Sequence, residues 1–363
     1  MVDLINNHGG QGPVANLLAD TGALDTCSMQ PFVEKGRSYV SVYNGGIPEE
    51  EKSYSVKQIN TNALLRRDEW KFLDTALQMV RRERLGGVED LISKGLVYNL
   101  GNGMGSTVFE WNDVGDAMEA ELSMDAISRG KGDRVTFQHN YIPLPIIHVD
   151  YEINARFLAV ARRNNNPIDT TSAERAGRRV LEKMENMLFS DDDPYSFGAV
   201  DARGRNSIYS YVNHPDRNLV AIGTNWDEIA ANVGATIVAQ VLDLKQAQLN
   251  DYFYGPWTLY IPSNYETVLD QDYDTTTPGT TIRERIMKIA GIKAIKVIDH
   301  LADDNVLLVN MSKDVVRLIR GLGLQNVQWK EEGNMVTKFK VLTIQVPQIR
   351  SDRNGRCGVV HLS

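Results

Sequence analysis

Cysteine is nearly absent: Cys27 and Cys357 are the only two in 363 residues. Two cysteines so far apart build neither a disulfide framework nor a zinc site. They suit a reducing compartment. Long apolar runs are missing as well. No stretch reaches the ~18 residues that cross a bilayer, so no membrane partner is expected. The opening residues, Met1 to Gly12, lack the basic flank and apolar core of a signal peptide. A basic excess is also missing, since 39 Lys and Arg face 47 Asp and Glu for a net charge of -8. Dedicated nucleic-acid binders are usually basic, which argues against tight DNA binding. A container is a different case, because an acidic wall repels packaged DNA weakly and lets it slide.

Catalytic constellations are missing too. Gly101-Asn102-Gly103-Met104-Gly105 lacks the Lys-Ser/Thr ending and the following apolar helix of a phosphate loop. His8, His139, His148, His214, His300 and His361 are scattered, without paired metal-ligand spacing. Asp191-Asp192-Asp193 offers oxygen ligands for a hard cation, but reads better as an acidic turn ending a helix. No Gly-x-Ser-x-Gly elbow occurs. The sequence therefore nominates no catalytic, cofactor-binding or metal residue, and no cofactor is expected.

What is present is an order of segments. Length suggests roughly two domains. Residues 1–61 read as a polar arm with short strands at Ser38 to Val42 and Tyr54 to Ile59, joined through the turn signal Asn44-Gly45-Gly46. The spacing of Trp70, Leu73, Leu77 and Val80 predicts an amphipathic helix over Leu64 to Leu85, with Asn62 as N-cap and Gly86-Gly87 as terminator. Thr107 to Trp111 and Arg134 to Tyr141 read as the strands of a long excursion with little core of its own. Such a ribbon must pack on something else. Ala173, Ala176, Val180, Met184 and Leu188 predict the strongest helix, Ser172 to Phe189, with Thr171 and Glu174 spaced as a capping box.

Downstream, residues 195–335 read as an α/β unit. A helix is expected from Asn225 to about Leu249, a strand at Trp257 to Ile261 and a helix capped by Thr281 and Glu284. Apolar strands follow at Ile292 to Ile298, Val306 to Met311 and Val315 to Ile319. Residues 336–363 read as β again, with Leu342, Ile344 and Val346 alternating against Thr343 and Gln345.

The run Leu65-Arg66-Arg67-Asp68-Glu69-Trp70-Lys71-Phe72-Leu73-Asp74, continuing to Arg81-Arg82-Glu83-Arg84-Leu85, resembles the N-terminal helix of encapsulin-type shell proteins. Ile153 to Ala161 followed by Asp169 to Phe189 resembles their ribbon and spine helix. Tyr260 to Tyr265, Thr281 to Gly291 and Asn305 to Ser312 resemble their A-domain. Encapsulins share the Hong Kong 97-type fold of tailed-phage major capsid proteins.

The resemblance implies an α+β, Hong Kong 97-type subunit with an N-arm, an E-loop, a P-domain carrying a long spine helix, and an A-domain. By segment it implies an N-arm over 1–61, N-terminal helix and start of the P-domain over 62–100, and E-loop over 101–141. The P-domain with its spine helix would take 142–194, the A-domain 195–335 and returning P-domain strands 336–363. An arm this long departs from the shorter encapsulin leader and suits a viral subunit that laces its neighbours. The implied function is a major capsid protein forming an icosahedral shell around double-stranded DNA. The implied partners are copies of itself in pentamers and hexamers, a separate scaffolding protein, a portal, DNA held by containment only, and a decoration protein.

An encapsulin compartment and a soluble α/β enzyme remain as alternatives. Candidate assembly residues are Leu17, Leu18, Phe32 and Val33 in the arm, and Phe109, Trp111, Met118 and Lys131 in the loop. Trp111 has the competing reading of a side chain in its own subunit's core. Lys131 is a candidate for a covalent link to a neighbour.

Overall fold

Two sheets, of four and five strands, form the body of the described chain. The computed structural model describes residues 32–35, 37–45, 53–59, 65–83, 86–101, 103–114, 124, 137–163, 170–198, 206–229, 233–274, 279–329, 335–352 and 354–363. The first elements are β1 (Phe32–Glu34), β2 (Arg37–Gly45), β3 (Ser53–Ile59), α1 (Arg67–Glu83), α2 (Gly86–Ser93) and β4 (Val97–Asn99). Next come β5 (Val108–Val114), β6 (Phe137–Pro143), β7 (Ile147–Asn154), α3 (Ala155–Arg163) and α4 (Thr171–Phe189). They lead to β8 (Tyr195–Ser196), β9 (Ser207–Ile208), β10 (Asn218–Val220), α5 (Gly234–Asn250) and β11 (Trp257–Ile261). The chain continues with α6 (Glu266–Leu269), α7 (Ile282–Met287), β12 (Ile292–Val297), β13 (Val306–Asn310), β14 (Val316–Trp329), β15 (Val336–Ile349) and β16 (Val359–Leu362).

The first sheet runs β4-β14-β15-β7. Its central pair, β14 and β15, is antiparallel and breaks register at Arg320/Leu322 and Leu322/Gln325. The helix α4 lies over it. Ala173, Ala176, Val180, Met184 and Leu188, the stripe expected from sequence, are all buried. At 1.5 Å per residue α4 is about 28 Å long. Gly177 lets α1 approach: a Cβ there would lie 2.5 Å from Leu77 Cδ2. Trp70 and Leu73 of α1 complete that layer against Leu65, Phe339 and Phe32.

The second sheet runs β10-β16-β13-β11-β12. Its side chains alternate with period two. Leu259, Leu308 and Val360 face α5 through Ile237, Val241 and Leu244. Tyr260, Leu307, Val309 and Val359 face α2 and the end of α4 through Leu91, Leu188 and Phe189. The α2 helix therefore stands at the seam between the two sheets.

Several expectations are corrected. Gly86-Gly87, expected to terminate α1, opens a new helix, α2; residues 84–85 between them lie outside the described residues. Thr171 is not the cap of α4. Thr170 holds that place, and its hydroxyl donates to Glu174 Oε1 at 2.6 Å instead of accepting from the backbone. The helix expected from Asn225 begins only at Gly234, because Trp226 turns into the core and donates to Gln240 Oε1 at 2.6 Å. Sheet membership also cuts across the boundary at 335. The strand β14 lies in the first sheet beside β15, and the terminal β16 returns to the second. Thr343 and Gln345 do not face water, since β15 is covered on both faces. Thr343 Oγ1 donates to Leu322 O at 2.9 Å, and Gln345 Nε2 donates to Thr343 Oγ1 at 3.0 Å. The N-cap proposed at Asn62 lies outside the described residues.

Candidate assembly surfaces

The ribbon β5–β6 is the first candidate. Its strands pair antiparallel from Val108↔Pro143 to Val114↔Phe137, and no third strand joins them among the described residues. An isolated two-stranded ribbon is marginal in water, so its root must be tied down. Three ties do this. Phe109 meets Tyr98 at 5.2 Å and stacks on Trp111 at 6.0 Å, and both pack against the cluster of Ile142, Leu144, Leu322 and Ile344. Asp113 receives Arg350 Nη2 at 3.2 Å, with its other oxygen bonded by Asn140 Nδ2. Leu144 N donates to Thr107 O at 2.9 Å. One pair beyond Asp113, at the end of the described ribbon, Phe137 is bare, 69 % exposed.

Trp111 is half-buried at the root, and its Nε1 finds no partner among the described residues. It lines an open crevice of about 550 Å³ between the ribbon, the end of β15 and the segment after β9. Trp111 Nε1 apart, several of the crevice's polar groups pair with one another. Ser351 Oγ donates to Asp216 Oδ2 at 2.6 Å, and Asp216 N donates to His214 Nδ1 at 3.2 Å. Burial pushes the His214 imidazole well below its usual range, so it is neutral near pH 7. Among the described residues no group of His, Cys, Asp or Glu is arranged to hold a metal ion. Cys357 is buried, and burial pushes its thiol up to about 12, which suppresses the reactive thiolate. Gly103, from the glycine run, serves packing: a Cβ there would lie 2.3 Å from the Gly321 backbone.

The arm is the second candidate. Its described part is a three-stranded sheet in the order β1-β2-β3. Phe32 was expected to meet a neighbouring subunit. Its side chain is instead buried within its own chain, against Leu65, Trp70 and Phe339, with the Arg67 guanidinium 5.7 Å from the ring centre. Val33 is half-buried, and its N–H donates to Leu65 O at 3.0 Å. This part of the arm is therefore core as well as arm. Leu17, Leu18, Met118 and Lys131 lie outside the described residues.

A third surface escaped the sequence reading. On α3, Leu158 is buried while Phe157 is 75 % exposed and Val160 is also outward. Met335, exposed beside them, accepts from Ala155 N at 2.8 Å through its carbonyl. The signal was available in Phe157-Leu158-Ala159-Val160, an apolar run too continuous for one buried helix stripe. No helix among the described residues is long and apolar enough to cross a membrane.

A family model described as a family of unknown function (DUF6260) matches residues 60–362. The chain belongs to this family. No curated protein matches it. Among solved structures, the virus-like particle from Pyrococcus furiosus is similar with a TM-score of 0.57 at 16% identity, over 81% of this chain and 99% of that one. The capsid of Myoviridae phage XM1 gives 0.56 at 11% identity, over 75% and 90%. The capsid of a native GTA particle gives 0.52 at 13% identity, over 75% and 88%. With the sequence resemblance, these likenesses give the family member described here a mixed helix-and-strand fold of the Hong Kong 97 type.

Proposed function

We propose that the chain is the major capsid protein of a tailed phage, many copies of which close into an icosahedral shell around double-stranded DNA. The observation that carries the reading is the β5–β6 ribbon. It is anchored along its described length by the Phe109–Trp111 stack and the Asp113–Arg350 pair, and leaves Phe137 bare one pair beyond Asp113. A subunit invests in a rigid root for a poorly covered ribbon when the ribbon is covered by something else. The fold likeness supplies the context.

In this reading residues 1–61 are the N-arm, 101–141 the E-loop and α4 the spine of the P-domain. The first sheet is the body of the P-domain and the second the A-domain, with β16 added to it and β14 removed. Phe109, Trp111, Phe137, Met118 and the Phe157–Val160 face bury against neighbours, as do Leu17, Leu18 and Val33 of the arm. The role is mechanical and needs no active site. Each copy must bury enough surface to offset lost translational freedom, and many simultaneous contacts multiply weak ones. Scaffold, portal and decoration proteins, and assembly in the host cytoplasm, follow from the same reading.

A second reading, an encapsulin compartment around a cargo enzyme, draws on the likeness to the virus-like particle. Electron microscopy of the expressed protein tests the shared part. Closed shells, or capsomers of five and six, are expected. A strictly monomeric folded species at high concentration, with or without scaffold, overturns it. Portal and terminase genes nearby select the phage reading; a neighbouring cargo enzyme selects the compartment.

A further inference from the structure

Two surfaces of opposite character stand at opposite ends of one layer. The first is the outward face of α3. On its inner side Leu158 is buried in a cluster with Leu73 and Ala173, which fixes α3 near the start of α4. At about 3.6 residues per turn, the opposite side carries Arg156, Phe157, Val160 and Arg163, all exposed. By sequence α3 holds three arginines and no acid.

The second surface is a crevice of about 400 Å³ near the end of α4. Ile146, Met187, Tyr195 and Ile208 give it an apolar lining, with Ile146 45 % and Tyr195 48 % exposed. Asp192 and Asp193 stand on its rim, both exposed, against one lysine, Lys183. His148, also on the lining, lies beside Asp150 at 3.7 Å. The rim is braced, since Asp192 N donates to Ser190 Oγ at 3.0 Å and Asp192 O accepts from Asn213 Nδ2 at 2.7 Å. The acidic run that reads as a helix-ending turn in sequence therefore borders an apolar hole.

Phe157 cannot reach this crevice in its own chain. The helix α3 follows the end of β7, whereas Ile146 precedes its start. At ~3.3 Å per residue the 8 residues of β7 hold the two surfaces about 25 Å apart. A two-fold pairing of α3 with its own copy is disfavoured, because it sets arginines against arginines. The crevice offers what α3 lacks, an apolar socket with acids at its edge.

We propose that α3 of one copy docks head-to-tail into the crevice of the next, with Phe157 and Val160 in the socket and Arg156 and Arg163 against Asp192 and Asp193. The contact joins two different surfaces, so it repeats from copy to copy and closes into rings when the rotation allows. It rests on the self-assembly reading and names the surface that covers α3.

Two reversals in the full chain test the docking: Arg156→Asp with Arg163→Asp, and Asp192→Arg with Asp193→Arg. Each alone is expected to raise the concentration at which light scattering detects shells by more than ~10-fold. The chain carrying both reversals is expected to return to within a few-fold of wild type, because the charges again match. Either reversal assembling like wild type overturns the docking. So does a doubly reversed chain that assembles no better than its parents, since α3 then meets some other acidic partner, DNA phosphate included. Hydroxyl-radical labelling of wild-type subunits and shells, read by mass, needs no variant. Phe157 and Tyr195 are expected to lose reactivity together on assembly; loss at one only, or at neither, overturns the docking. A wild-type chain that stays monomeric overturns the self-assembly reading with it, whereas shells indifferent to the reversals overturn the docking alone.

Discussion

Gly87→Ala is a sharp test of how α2 is seated. The new Cβ would lie 2.3 Å from Phe189 Cε2 and 2.7 Å from Cζ. Phe189 has little freedom to retreat. It is fully buried, with Tyr211 at 5.5 Å and Tyr260 at 5.1 Å on its ring. The helix start must move instead, which stretches the 2.7 Å bond from Gly87 N to Glu185 Oε1. Overpacking costs about 1–3 kcal/mol, and a hydrogen bond to a charged group is worth about 1.5–3 kcal/mol. Alanine returns about 1 kcal/mol of helix propensity. The net expectation is a loss of about 2–4 kcal/mol, read as a lower denaturation midpoint of dissociated subunits. Gly101→Ala is the control: nothing lies within 4 Å of its added Cβ, and a shift within about 0.5 kcal/mol is expected. A Gly87→Ala chain as stable as wild type would refute the picture of a helix start wedged between Phe189 and Glu185.

Phe32→Ala is expected to cost about 3 kcal/mol of subunit stability in chemical denaturation, because the ring is buried against Trp70 and Phe339. No change would return Phe32 to the neighbours' side of the arm. Trp111→Ala, at a half-buried ring, is expected to cost the subunit about 2 kcal/mol and to lower the denaturant at which shells come apart further still. Equal losses in both assays would place its whole effect within the subunit. Arg350→Ala leaves Asp113 without its cation, so hydrogen exchange of β5 and β6 is expected to rise while that of β11 and β13 stays fixed. Denaturing electrophoresis of mature particles is expected to give a single band at 40.6 kDa; a ladder above it would establish covalent linkage and bring Lys131 forward.

The fold was legible where periodicity was long and its environment simple. The α4 stripe, and Trp70, Leu73 and Leu77 of the α1 stripe, appeared in the sequence because each helix keeps a continuous apolar face buried; the side chain of Val80 lies outside the described residues. Thr281 as the cap of α7 was legible too, and its side chain accepts from Glu284 N at 3.2 Å. Sheet membership was not. Leu318 and Leu307 look alike in a strand pattern, yet the first sits in the sheet under α4 and the second in the sheet under α5. Pairing is a long-range property that local alternation does not encode. Trp226 misled for a related reason. Its neighbours read as a helix start, but a buried indole bonded to Gln240 outweighs local propensity.

The assembly surfaces were legible only in outline. The ribbon could be read because glycines and short strands left it without a core of its own. What holds its root could not, since Asp113 and Arg350 are 237 residues apart. Phe32 was misplaced because an arm rich in polar residues hides one aromatic that docks on the body. The seam at α2 was the least visible of all. Gly86-Gly87 reads as punctuation, and Glu185 reads as one more acid on a charged helix. Only the folded chain shows that the glycine leaves room for a helix start to meet a buried carboxylate. A pattern that looks like a stop in sequence becomes a joint in structure when the next helix has no space for a side chain.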